Sequence, residues 1–189
     1  MFLFTIPIEP VSSKKQVAIL DRYICDIAGG NRESLAELYE QTQSAVYGYA
    51  LSICKSPHNA EDVLQDVFVQ IWNAAGQYES EGKPMAWIFT ITRNLAIMTL
   101  RQQGKSVCVT DEEMATFFDE HPQITSDDRL MLEALLKELQ DDERQIVILH
   151  ALTGMKFREI ASFMQKPLST VLSKYNRAIK KLKTLIKEA

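Results

Sequence analysis

Glycine and proline are scarce, at seven and six of 189 residues. So few turn formers argue against a turn-rich sheet protein and for helices. Cysteine is scarce too: Cys25, Cys54 and Cys108 show no CxxC spacing and no nearby His pair. That excludes a disulfide framework and a metal site, and three unpaired thiols read as reduced, in a cytoplasmic protein. No apolar run approaches the length needed to span a bilayer, so no membrane insertion is expected. The opening MFLFTIPIEP is apolar but lacks a basic start and a small-residue cleavage site, which makes it a poor signal peptide. His58, His121 and His150 are far apart, and no glycine loop suited to phosphate appears. No catalytic arrangement emerges, so the expectation is a non-enzyme without cofactor, metal or small-molecule substrate.

What is present is charge, sorted by segment. The net charge is only −4. Residues 156–189, however, hold nine Lys/Arg against two Asp/Glu, while residues 111–143 hold two basic against twelve acidic. Blocks of opposite sign mark separate tasks better than their sum does. A chain of this length fits one or two compact units.

Helical periodicity dominates. Residues 14–28 end at Gly29-Gly30, a helix stop. Asn31 is placed to cap a long segment with Leu35, Leu38, Tyr39, Val46, Tyr49, Ala50 and Ile53 along one side. SPHN at 56–59 breaks it, and Asn59 is expected to cap the next segment, with Glu61 and Asp62 in its first turn. In AEDVLQDVFVQIWNAA the apolar residues pair at 63/64, 67/68 and 71/72, a stripe for a core. YESEGKP at 78–84 is a polar loop, and MAWIFTITRNLAIMTLRQQ is another helix fading at Gly104. Periodicity is lost over 105–128, an acidic linker, and returns from Arg129 in RLMLEALLKELQ and DDERQIVILHALTG.

The last stretch, FREIASFMQKPLSTVLSKYNRAIKKLK, reads as two short helices around a turn. Phe157, Ile160, Ala161 and Met164 form one apolar face, and Pro167 suits the first turn of a new helix. Leu168, Val171, Leu172, Tyr175, Ala178, Ile179 and Leu182 are expected to pack inward. Short polar residues early in the second helix and basic ones later fit a helix-turn-helix that meets base edges and then phosphates. The same residues also fit a solvated basic helix or one that binds an acidic partner.

The AEDVLQDVFVQIW segment, the polar loop, PMAWIFTITRNLA, LKELQDDERQIVILHALTGMKFREIA and the tail together resemble bacterial RNA polymerase sigma factors of the extracytoplasmic-function (ECF) type. The resemblance covers nearly all of 31–104 and 129–184. It implies an all-α fold of two small helical domains joined by an acidic linker, the C-terminal one a helix-turn-helix. The divisions would be an N-terminal extension (1–13), a region 2-like domain (14–104), the linker (105–128) and a region 4-like domain (129–189). The implied function is promoter-specific transcription initiation, with core RNA polymerase, promoter DNA and an anti-sigma factor as partners.

Carried over by position, Asp62, Gln65, Asp66 and Gln70 would contact core polymerase, above the mostly buried Phe68, Ile71 and Trp72. Lys83, Arg93, Asn94 and Arg101, with Tyr78 as a stacking surface, would meet the start-proximal promoter element. Trp87, Phe89 and Ile91 read as core. Ser169, Thr170, Ser173, Lys174, Asn176, Arg177 and Lys181 would meet the upstream element. The chain departs from the family's pattern at Gln165, where Gly is common, at Lys166, where an apolar residue is common, and at Leu172, where a basic one is. The upstream sequence it reads is therefore open. The alternatives are a stand-alone helix-turn-helix regulator, which leaves residues 61–104 unexplained, and a helical adaptor that binds only proteins. The acidic block reads first as a solvated, flexible tether; the second reading is that, at Asp111, Glu112 and Glu113, it screens the basic tail of the free protein.

Overall fold

The structure, a computed structural model, describes residues 14–103 and 138–188. The extension 1–13, the linker 105–128 and the start of the second domain lie outside the described residues, and with them Cys108, Asp111, Glu112, Glu113 and His121. The described residues are all-α, as expected. The elements are α1 (Lys14–Ala28), α2 (Arg32–Cys54), α3 (Pro57–Ala74) with a 3-10 turn at Ala75–Gln77, α4 (Pro84–Gln103), α5 (Asp141–Thr153), α6 (Phe157–Phe163) and α7 (Leu168–Glu188). Among them no helix is long and apolar enough to cross a membrane.

Local chemistry sets the boundaries. The Asn31 side chain accepts from the Ser34 amide at 3.1 Å, capping α2 as its sequence implies. At the other end Lys55 takes a left-handed conformation, φ 54°, and its amide closes on the Leu51 carbonyl. The expected cap at Asn59 is corrected. Ser56 caps α3 by accepting from the Asn59 amide, and Pro57 opens the helix, where a missing N–H costs nothing. Glu61 and Asp62 therefore sit beyond the first turn, where the helix dipole gives them less.

Helices α1 to α4 pack around Leu20, Ile24, Leu38, Val46, Tyr49, Val67, Ile71, Ile88 and Phe89, all fully buried. Each such side chain contributes ~1.5–3 kcal/mol by leaving water. Tyr49 meets Phe89 edge to face with ring centroids 5.1 Å apart. The buried Cys54 thiol, pushed up to about 11 by burial, is a neutral packing group.

The second half does not stand apart. Helix α5 lies against α2, and Ile146, Ile148, Leu149 and Ile160 join the same apolar cluster. Arg144 fastens the contact. Its guanidinium, 2% exposed, donates to the Ser52 carbonyl at 3.0 Å, the Leu139 carbonyl at 2.7 Å and Asp141 at 3.3 Å. Ser52 is in the last turn of α2, whose carbonyls have no partner inside the helix. A cation from the other half caps that electronegative end. Lys55 adds an ion pair to Asp141 at 2.7 Å.

Candidate functional site

Three solvent-facing strips carry the candidate residues. On α3, Asp62, Gln65, Asp66 and Gln70 are all exposed and share one face, with His58 before them and Asn73 after. Phe68 and Ile71 are buried beneath and Trp72 is half-buried. In the middle of this polar strip stands Val69, 61% exposed, the most exposed large apolar residue described. Carboxylates and amides of the same face surround this apolar side chain. Val69 is the one large apolar residue of this segment outside the paired stripe, and its outward placement with Gln65, Asp66, Gln70 and Asn73 follows from that spacing.

The second strip runs along α4. Arg93, Asn94 and Arg101 are exposed on one side, together with Thr90 and Met98, and Lys83 is exposed at the helix start. Phe89 is buried and Trp87 and Ile91 are half-buried against the core, in keeping with their reading as core. Tyr78 is not gathered into this strip as a free surface. Its ring packs on Trp87 with centroids 5.0 Å apart, and its hydroxyl donates to Asp21 of α1. Burial, then that bond, holds the phenol protonated well above its ordinary value. Gly82, φ 69°, gives the loop between them the positive φ its turn requires.

The third strip is on α7, behind the turn that follows α6. Gln165 holds that turn at φ 53°, a left-handed conformation that glycine takes at less cost. Val171, Ala178 and Leu182 are buried, and Tyr175 packs on Phe157 at 4.8 Å, which in turn stacks on His150 at 4.3 Å. Ser169, Leu172, Ser173, Asn176, Arg177, Lys180 and Lys183 are exposed, and Thr170 is half-buried. The inward placement of Leu172 is corrected. It is 37% exposed, because it stands about 100° round the helix from Val171, at the edge of the buried stripe.

Two family matches divide the chain along the same lines. Sigma-70 region 2 matches residues 38–106, and Sigma-70, region 4 matches residues 129–182, together about two thirds of the chain. The chain belongs to the ECF-type RNA polymerase sigma factors.

The sigma factor is 24% identical over 185 residues to the ECF RNA polymerase sigma factor SigK of Mycobacterium sp. (strain KMS), covering 94% of this chain and 96% of that one. SigK of Mycobacterium bovis (strain BCG / Pasteur 1173P2) is 25% identical over 174 residues, covering 88% and 93%. Among solved structures, sigma factor RpoE in complex with the anti-sigma factor NepR from Bartonella quintana aligns with a TM-score of 0.62 at 22% identity, over 80% of this chain and 96% of that one. CnrH in complex with the cytosolic domain of CnrY aligns at 0.61, also at 22% identity, over 90% and 98%. At that identity both show a shared fold.

Within the sigma factor, the basic residues of α7 fall into two sets. Lys174 reaches Asp142 at 3.1 Å, where Lys166 of the turn joins it at 2.9 Å. Lys181 reaches the fully buried Glu143 at 2.8 Å, with Arg177 at 3.6 Å. Burial works against the charge on both acids, but the Lys166 and Lys174 ammoniums hold Asp142, and the Lys181 ammonium holds Glu143, below the usual carboxylate range. Lys174 and Lys181 thus fix α7 against the start of α5, while Lys180 and Lys183 point to solvent. Lys174 and Lys181, expected among the DNA contacts, are thus engaged inside the protein, whereas Lys180 and Lys183, not among those expected, are exposed. The acids involved lie in the 111–143 block, though not at the three positions named for screening.

Proposed function

We propose that this sigma factor binds core RNA polymerase through the α3 strip, engages the start-proximal promoter element through the α4 strip, and meets the upstream element with the exposed face of α7. The observation that carries this reading is the α3 strip itself: Asp62, Gln65, Asp66 and Gln70 on one face around the exposed Val69. A stand-alone DNA regulator has no use for such a patch. Bond making belongs to polymerase, and this chain supplies placement. The two solved relatives are complexes with the anti-sigma factor NepR and with the cytosolic domain of CnrY, which supports control of this chain by an anti-sigma partner covering the same strips.

The test is to add purified protein to sigma-free core polymerase and score promoter-specific transcripts. Gln65→Ala with Asp66→Ala should weaken core binding about tenfold and leave thermal unfolding unchanged. Duplex binding with no core binding and no transcript would move the protein to the stand-alone class.

A further inference from the structure

The exposed face of α7 is polar and basic except at one point. Ser169, Ser173, Asn176, Lys180 and Lys183 carry hydroxyls, an amide and ammoniums, and Leu172 stands among them. Only three large apolar side chains among the described residues are exposed, and this is one of them. Its neighbours locate it on the face that the proposed function assigns to the upstream element, and the inference rests on that reading. It lies in the first half of the helix, one residue before Ser173 and one turn before Asn176, ahead of the lysines suited to phosphates. In a major groove that is where side chains meet base edges. It stands at the edge of the stripe along which α7 packs on α5 and α6, 37% exposed, so its outer side is open among the described residues.

An aliphatic side chain has one partner in the major groove: the C5-methyl group of thymine, the only apolar group a base pair presents there. Ser173 is a poor competitor for the same position, because its hydroxyl proton is spent on the Thr170 carbonyl at 2.9 Å. We infer that Leu172 is a specificity-determining residue that selects thymine in the upstream promoter element by contact with its methyl group. Asn176, one turn further on, carries an amide suited to the donor and acceptor edge of adenine. Recognition by this helix would then combine an apolar contact with an amide contact.

The experiment uses holoenzyme assembled from core polymerase and the full chain. Promoters are selected by binding from a library randomised in the upstream element. Each thymine of the selected element is then replaced by deoxyuridine, which removes the methyl and nothing else. Wild-type holoenzyme should lose about fourfold in binding at one thymine, the worth of one methyl taken from a buried contact. Leu172→Ala holoenzyme should bind the thymine promoter more weakly and be indifferent to the methyl. Leu172→Met should restore the sensitivity, and Asn176→Ala should keep it. Insensitivity of the wild type at every upstream thymine overturns the inference, as does undiminished sensitivity in Leu172→Ala. Enrichment of no sequence by wild-type holoenzyme overturns the proposed function itself.

Discussion

The two halves of this molecule are stabilised by different means. Around α2, α3 and α4 the interior is aliphatic and aromatic, and the charged residues of α3 and α4 face solvent. Between α5 and α7 the interior includes charge: Glu143 is fully buried and Asp142 half-buried, each holding two cations of the helix-turn-helix. The charged residues of the α3 and α4 strips are therefore exposed to a partner, whereas one in the second half must be traced to its contact before any role is assigned.

The largest test of that contrast removes the group joining the halves. Arg144→Ala leaves the Ser52 and Leu139 carbonyls buried without their donor and should cost about 3 kcal/mol in chemical denaturation of the full chain. Adjacent lysines provide a finer cut. Lys181→Ala takes the nearer of two cations from the buried Glu143 carboxylate and should lower stability by ~1–3 kcal/mol. Lys180→Ala should leave stability within ~0.5 kcal/mol and weaken binding of promoter duplex instead. Equal losses of stability would erase the distinction between the two sets.

Acid should separate the halves as well. Asp142 and Glu143 have folded-state values below the ordinary carboxylate range. Their contribution is thus complete above that range and lost as pH falls through it towards the folded values. Followed by the resonances of Val171 and Val67, α7 should loosen below about pH 4 before α3 does. The smallest effect concerns the turn. Gln165→Gly relieves a left-handed non-glycine residue and should raise stability by up to about 1 kcal/mol, measured by thermal melting.

Much of this was legible in the sequence, because helical periodicity is a local signal. The Asn31 cap, the buried stripe through Val63, Val67 and Ile71, and the exposed Asp62, Gln65, Asp66 and Gln70 all follow from spacing within one helix. What escaped depends on other helices or on small rotations. The α3 cap moved from Asn59 to Ser56 because Pro57 accepts the first helical position. Lys180 and Lys181 differ by about 100° of rotation, and only the presence of Glu143, 38 residues away, makes that rotation decide their fates. Tyr78 read as a stacking surface until Asp21, 57 residues distant, engaged its hydroxyl. The seating of α5 on α2 through Arg144 left no periodic trace at all.

The internal pairing in the helix-turn-helix also changes what salt should do. Phosphate contacts release condensed counterions in proportion to the cations that reach the backbone. Nine Lys/Arg lie in residues 156–189, yet Lys166, Lys174, Arg177 and Lys181 already pair with protein carboxylates. Those four share two protein carboxylates before DNA arrives and release fewer counterions on binding. The affinity of this domain for duplex should therefore fall less steeply with ionic strength than its basic composition suggests, and the slope would count the lysines that are free.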